Sequence, residues 1–337
     1  MTQVNLAQAF ELAAAGRPAE ALAIVDRGVS AGDPQACYAL GLWRLEGAHV
    51  PRDLGAARRL VEQAEQGGLM LAARALSAFV AVGTGGEADW PGALGLLHRW
   101  VDRDPLAARQ LQLIEAMDLD GSGNPRGAFA CEPLSDAPCV RRFPGFFSAD
   151  EAAFLRDVAE ARFRPALALD EQAGRFVRHP FRDATAAAFP AVFEWPAIHA
   201  LNRRIAAASG TEAGQGEPLQ VLRYQPGQQY RPHLDAVPGV ANQRIWTMLV
   251  ALNDDYQGGA TVFPEASLAF RGRTGDGLLF RNVDEGGRAD RTSLHAGTPV
   301  EAGVKLIASR WIREHCPPPG EAFGQHEVLS QADEVGQ

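Results

Sequence analysis

Two histidines and one aspartate are the residues of this chain whose types and spacing most directly suggest chemistry. His233 and Asp235 stand two positions apart, and His295 follows His233 by 62 residues. In an extended strand, side chains two positions apart point to the same face, so His233 and Asp235 can hold one ion together. Two imidazoles and one carboxylate on one side of an ion suit ferrous iron and leave positions open for a co-substrate and oxygen. The pattern predicts an oxygenase metal site with His295 as the third ligand.

The competing interpretation is that the triplet arose by chance. The chain has 8 histidines, and most of them can be ordinary surface or hydrogen-bonded residues. The surrounding sequence favours the metal site, because residues 222–235 read as a strand, a Pro-Gly turn and an extended segment. This arrangement places the His-x-Asp pair at the mouth of a strand.

A lysine lies ten residues after His295, in the second of two strands predicted within residues 293–312. The period of two places Lys305, Ile307, Ser309 and Trp311 on one face of that strand. A buried ammonium group loses its hydration unless an anion meets it, so a buried Lys305 predicts an anionic ligand. The alternative, that this face is the solvent side, is open from the strand alone. The spacing from His295 favours the buried face.

Four segments together resemble the 2-oxoglutarate- and iron-dependent dioxygenases, and within them the prolyl 4-hydroxylase branch. They are YQPGQQYRPHLD at 224–235, LNDDYQGGATVFPE at 252–265, GDGLLFRN at 275–282 and SLHAGTPV at 293–300. Their order and spacing agree with the family, and the resemblance covers residues 138–316. It implies an α+β chain whose catalytic domain is a double-stranded β-helix, or jelly roll, with supporting helices.

The resemblance also implies a cofactor role for each matching position. It assigns Fe(II) binding and catalysis to His233, Asp235 and His295. Lys305 would pair with the distal carboxylate of 2-oxoglutarate, and Tyr224 would donate a hydrogen bond to the same co-substrate. Thr247, predicted to face inward on the next strand, is a weaker candidate for that pocket.

The substrate side is less defined by the resemblance. It places Tyr230, Arg244 and Trp311 where a peptide substrate enters, although Tyr and Trp in strands are more often packing residues. Arg313 stands near the substrate, where relatives acting on prolyl peptides commonly carry a histidine. Three hypotheses follow: hydroxylation of a peptidyl residue, with proline leading; hydroxylation of a free amino acid or other small molecule; or a non-catalytic binding protein.

The implied reaction uses Fe(II), 2-oxoglutarate and O2. The resemblance implies that 2-oxoglutarate is oxidatively decarboxylated to succinate and carbon dioxide while a carbon of the substrate gains a hydroxyl group. Ascorbate (L-ascorbic acid) is the expected reductant.

The N-terminal third of the chain is repetitive. Ala21, Ala57 and Ala93 recur at intervals of 36 residues, each followed three positions later by Ile or Leu. A period of this length with small residues at fixed places predicts a solenoid of paired helices, and residues 39–57 resemble tetratricopeptide-like repeats of the Sel type. The repeats either present a concave face to a protein partner or support the catalytic domain and its assembly.

The sequence thus predicts four regions: helical repeats at 1–117, a linker at 118–137, the dioxygenase domain at 138–316 and a flexible tail at 317–337. A capping box beginning at Ser148 predicts a helix at the start of the catalytic domain. A second helix is predicted over about 196–209.

Composition sets the outer bounds. A chain of 337 residues with 46% hydrophobic residues is long enough for two cores. The net charge of −9 argues against nucleic acid as a ligand and favours a neutral or cationic peptide. The sequence has neither a signal-type opening nor 18 consecutive apolar residues. We therefore expect a cytoplasmic protein without a membrane partner.

Overall fold

The computed structural model describes residues 5–170, 175–178 and 182–317, with only the backbone described for 167–170, 175–178 and 191. The predicted flexible tail lies outside the described residues, except for Pro317. The chain folds into two units, one of residues 1–126 and 191–200 and the other of 127–190 and 201–337. The boundaries predicted at 117/118 and 137/138 stay predictions.

The first unit consists of helices. They are α1 Leu6–Ala14, α2 Pro18–Ser30, α3 Pro34–Glu46, α4 Leu54–Gln66, α5 Met70–Val82, α6 Trp90–Trp100 and α7 Pro105–Ala116. The first residues of α2, α4 and α6 are 36 positions apart, and α3, α5 and α7 follow them at nearly the same interval. The predicted helical repeat is confirmed.

Small residues bring these helices together, as their spacing in the sequence predicts. Ala21, Ala57 and Ala93 are each 0% exposed. A Cβ atom on Gly41 of α3 would lie only 2.9 Å from Val61 Cγ2 of α4, so a larger residue there would push the two helices apart. Aspartates cap the first turns of four of the helices, accepting hydrogen bonds from backbone N–H groups: Asp33, Asp53, Asp89 and Asp104.

The second unit is built from strands with two helices. The strands are β1 Glu132–Asp136, β2 Cys139–Phe143, β3 Arg164–Pro165, β4 Leu167–Asp170, β5 Arg175–Arg178, β6 Thr185–Phe189, β7 Leu219–Tyr224, β8 Tyr230–His233, β9 Arg244–Ala251, β10 Gln257–Gly258, β11 Thr261–Phe263, β12 Leu268–Phe270, β13 Gly277–Arg281, β14 His295–Gly297, β15 Val300–Ala302 and β16 Lys305–Arg313. The helices are α8 Ala149–Glu160 and the main part of α9 Pro196–Ser209, whose residues 196–200 belong to the first unit. Both predicted helices are confirmed.

Two antiparallel sheets form the double-stranded β-helix. The larger sheet has the order β1-β2-β13-β9-β16-β7-β6-β3, and the smaller has the order β12-β11-β14-β8. Two further two-stranded sheets, β10-β15 and β4-β5, and several isolated β-bridges occur in the described residues. Some neighbouring strands, such as β8 and β14, are far apart in sequence, so residues 62 positions apart, His233 and His295, become direct neighbours. The predicted jelly-roll fold class is confirmed.

An ion pair ties the two helices of this unit together. Ser148 and Glu151 form the capping box of α8, and the Glu151 carboxylate also accepts two hydrogen bonds of 2.7 Å from Arg204 of α9. Helix α8 packs against β6 and β7. None of the helices in the described residues is both long and apolar enough to span a bilayer.

Candidate active site

The pairing of β8 with β14 brings the two predicted histidine ligands together. His233 and His295 are direct cross-strand partners, and their ring centroids lie 4.2 Å apart. Asp235 follows β8 by two residues, and its two carboxylate oxygens lie 3.4 Å from His233 Nε2 and 3.7 Å from His295 Nε2. One ligand atom from each of the three residues lies within 4.8 Å of the others. The pairing of β8 with β14 therefore brings together two histidines that are 62 residues apart along the chain.

Backbone carbonyls orient both imidazoles. His233 Nδ1 lies 2.8 Å from the carbonyl oxygen of Arg231, and His295 Nδ1 lies 3.0 Å from that of Ser293. A carbonyl only accepts, so each Nδ1 must carry a hydrogen, and these bonds turn each Nε2 toward the centre. His233 Nε2 is buried and makes no hydrogen bond with the described residues. This donor set fits a divalent metal ion such as Fe(II).

A hydrogen-bonded chain holds the carboxylate. The Thr247 hydroxyl donates to Asp235 Oδ2 at 2.6 Å, and Asn282 Nδ2 donates to Thr247 Oγ1 at 2.9 Å. All three side chains are buried. The resemblance predicts Thr247 as a contact of 2-oxoglutarate. Thr247 does line the cavity that contains the three predicted iron ligands, but its hydroxyl donates a hydrogen bond to Asp235.

The protonation states suit metal binding. Burial alone would raise the pKa of Asp235, but interactions with His295 and His233 and the Thr247 hydrogen bond outweigh it and hold the pKa well below its usual range. Burial lowers the pKa of His295 to about 4. Phe263 and Phe280 form part of that dry environment, with ring centroids 5.5 and 4.6 Å from the imidazole. At neutral pH the site therefore offers a carboxylate and an uncharged imidazole, the forms that ligate metals.

Lys305 lies in the same cavity, opposite Tyr224 in the β7–β16 pair. Its ammonium group is buried, donates to the Gly259 carbonyl at 2.7 Å and lies 5.6 Å from the centre of the Tyr224 ring. Gly259 adopts φ +64°, and a Cβ there would lie 3.2 Å from Lys305 Cδ, so glycine gives the lysine its space. Burial lowers the pKa of Lys305 to about 8.

The predicted face of β16 is the cavity face. Lys305, Ile307, Ser309 and Trp311 all line the cavity, as the period of two indicates. The solvent-side alternative for Lys305 is wrong, because that side chain is only 6% exposed.

Of the four residues predicted on the substrate side, two line the cavity. Tyr230 stacks on the His233 ring with a centroid distance of 3.5 Å, and Trp311 forms part of the wall. Arg244 and Arg313 are not among the lining residues; both donate to the Glu217 carboxylate, each with a shortest contact of 2.6 Å. The Arg244 guanidinium also lies 3.7 Å from the centre of the Trp311 ring, so it contacts a residue of the cavity wall.

Three residues of the site have no role that the sequence predicts. Asn282 is the last residue of the motif at 275–282, but the motif does not indicate that its side-chain amide contacts Thr247. Glu217 precedes a proline outside all the motifs. Arg182 lines the cavity from a segment that carries no metal or co-substrate motif.

Comparison with known proteins agrees with this geometry. The family described as "2OG-Fe(II) oxygenase superfamily" matches residues 219–313. Prolyl 4-hydroxylase 1 of Arabidopsis thaliana is 32% identical over 202 residues, which cover 54% of this chain and 71% of the relative. The chain belongs to the prolyl 4-hydroxylase family of 2OG-Fe(II) oxygenases. It is a 2-oxoglutarate-dependent dioxygenase that uses Fe(II) and O2.

The prolyl 4-hydroxylase alpha-1 subunits match over a smaller part of their own length. Prolyl 4-hydroxylase subunit alpha-1 of Gallus gallus is 30% identical over 227 residues, covering 64% of this chain but 43% of that relative. A solved structure of the viral collagen prolyl hydroxylase from Paramecium Bursaria Chlorella virus-1 is similar at 26% identity and a TM-score of 0.43. That similarity covers 53% of this chain and 98% of the viral one.

Proposed function

We propose that this dioxygenase hydroxylates a proline within a peptide or protein, with His233, Asp235 and His295 as its iron ligands. One observation carries the assignment of ligands: three suitable donor atoms lie within 4.8 Å of one another in a cavity that also contains a buried lysine. The names of the relatives support proline as the target residue.

We further propose that Lys305 and Tyr224 hold 2-oxoglutarate. The Lys305 ammonium group can meet the distal carboxylate, since a buried cation needs an anion and Gly259 supplies only a neutral carbonyl. Burial raises the pKa of Tyr224 to about 12, so its hydroxyl stays protonated and can donate a hydrogen bond. Leu222, Leu249 and Ile307 give the cavity an apolar lining that limits water.

The residues of the chain have separate tasks in this proposal. Bound iron would supply the oxidative chemistry that couples decarboxylation of 2-oxoglutarate to hydroxylation. Thr247 and Asn282 fix the Asp235 carboxylate, and the carbonyls at 231 and 293 fix the imidazoles. Tyr230 and Trp311 present rings at the cavity wall, where a proline ring can pack.

The test begins with metal and co-substrate. Anaerobic addition of Fe(II) and 2-oxoglutarate to the full chain should produce the weak visible band of a chelated complex. Asp235→Ala should abolish both this band and succinate release, since it removes one of three ligands. Asp284→Ala is the control, because Asp284 lies outside the cavity lining and its hydrogen bonds to described residues stay within its own loop.

Succinate release then tests the substrate. We expect release to be stimulated by proline-containing peptides more than by matched alanine peptides or free proline. Stimulation by free amino acids alone would replace the peptide proposal with the small-molecule one. Absence of the band in the wild-type protein would contradict the iron assignment itself.

A further inference from the structure

Arg182 is a buried cation whose donors are not all used. Arg182 is 6% exposed. Its Nε and Nη1 atoms are buried, and neither has a hydrogen-bond partner in the part of the chain that the structure describes. A guanidinium carries five donors and keeps its charge at every accessible pH. Burying such donors without water or another hydrogen-bond acceptor costs free energy. A buried arginine with unpaired donors therefore indicates that an acceptor from a ligand is missing.

This arginine faces the same cavity as the iron ligands. Its Cζ atom lies 5.5 Å from the centre of the Tyr230 ring and 6.0 Å from that of Trp311. Lys305 contacts a different ring, that of Tyr224. Lys305 and Trp311 are six residues apart on β16, which separates their backbones by about 20 Å. The Arg182 guanidinium therefore lies beside the Tyr230 and Trp311 rings, whereas the Lys305 ammonium group lies beside the Tyr224 ring.

The carboxylates near these rings already have partners. Asp235 is the one acidic residue among the described residues that line the cavity, and it is held by Thr247 and assigned to iron. Glu217, behind the Trp311 wall, accepts hydrogen bonds from Arg244 and Arg313. Neither carboxylate is available to neutralise Arg182.

We propose that Arg182 binds a carboxylate carried by the substrate, close to the carbon that is hydroxylated. This inference rests on the proposed function and adds a substrate class to it: peptides with an acidic side chain beside the target residue, or with the target near a free C-terminus. A carboxylate supplies strong charged acceptors for guanidinium donors. The net charge of −9 favours cationic peptides at long range. Salt screens the charges on the protein surface, so at short range the attraction between the buried Arg182 guanidinium and a carboxylate is the stronger interaction.

The experiment measures binding rather than turnover. The full chain is loaded anaerobically with Fe(II) and 2-oxoglutarate, and short peptides are titrated by calorimetry. The probes are acetyl-Glu-Pro-Gly-amide and acetyl-Gly-Pro-Glu-amide, their Gln isosteres, and acetyl-Gly-Pro-Gly as the free acid and as the amide. The three acidic forms distinguish a preceding side chain, a following side chain and a terminal carboxylate as the source.

Three variants accompany the wild type. Arg182→Gln removes the charge, and Arg182→Lys retains it without the fork of donors. Arg223→Gln is the matched control, since Arg223 also lies over an aromatic ring, Phe163 at 4.0 Å, and pairs with Glu160, but it does not line the cavity. The chelate band of each variant reports whether the iron site is intact.

We expect at least one acidic peptide to bind the wild-type protein about ten-fold or more tightly than its neutral isostere. The preference should disappear in Arg182→Gln, shrink in Arg182→Lys and persist in Arg223→Gln. No acidic preference in the wild type, or an equal preference in Arg182→Gln, would overturn the proposal. Either result with a normal chelate band would leave the iron and 2-oxoglutarate assignments standing.

Discussion

The hydroxyl of Thr247 offers a sharp test of how the iron site is held. Thr247→Val keeps the shape of the side chain and removes the donor that lies 2.6 Å from Asp235 Oδ2. It also leaves Asn282 Nδ2 without the oxygen that it contacts at 2.9 Å. The carboxylate then loses its hydrogen-bonded support while all three ligands remain.

The expected loss can be estimated from the lost hydrogen bond. A hydrogen bond to a charged group contributes about 1.5–3 kcal/mol, and about 1.4 kcal/mol corresponds to a ten-fold change in affinity. Loss of residues that orient metal ligands typically weakens metal binding by about 10- to 100-fold, which agrees with that range. We therefore expect Thr247→Val to bind Fe(II) at least ten-fold more weakly than the wild type.

Anaerobic titration of Fe(II) at saturating 2-oxoglutarate measures this affinity through the chelate band. Thr247→Ser retains the hydroxyl and is the control, with binding expected close to that of the wild type. The opposite pattern, unchanged iron affinity with weaker 2-oxoglutarate binding, would refute the reasoning. It would instead support Thr247 as a direct contact of the co-substrate.

Further predictions concern the co-substrate and the scaffold. Lys305→Ala should weaken 2-oxoglutarate binding by about 100-fold or more, because it removes one partner of a buried charge pair, while the chain retains its fold by circular dichroism. Burial lowers the pKa of Lys305 to about 8, so the free enzyme loses this positive charge as the pH rises through that value, and the Kd for 2-oxoglutarate should increase above it. Glu151→Ala should lower the free energy of unfolding by about 3 kcal/mol in a urea titration, since it removes the carboxylate that pairs with the partly buried Arg204 and removes part of a helix cap.

The iron ligands could be predicted because their signal is local. The spacing of His233 and Asp235 by two positions needs only a strand to place both on one face. His295 was the best-placed candidate for the third ligand, the resemblance assigned it the same role, and the cross-strand pairing of His233 with His295 gives the physical reason for it. The period of two likewise predicted which residues share a face of β16 with Lys305, and the spacing from His295, rather than the strand itself, indicated that this face is buried.

Residues whose role depends on tertiary contacts could not be assigned from the sequence. Arg244 and Arg313 were expected beside the substrate because of the family resemblance. In the fold their guanidinium groups meet Glu217, which is 27 and 96 residues away in sequence. An ion pair between residues so far apart in sequence leaves no periodic pattern, so it can be identified only once the pairing of β9 with β16 is known.

The same limit explains why the sequence does not reveal Arg182 and why this residue is informative. Burial is predicted from apolar periodicity, and an arginine contributes no such signal, so a buried arginine is invisible to pattern analysis. In the fold, β6 begins three residues after Arg182, and the Arg182 backbone forms a bridge with Tyr230, the residue that stacks on His233. The aromatic rings beside the guanidinium attract its charge but do not replace the oxygen acceptors that its dry Nε and Nη1 atoms require. Its presence is best accounted for by an anionic group that arrives with the substrate.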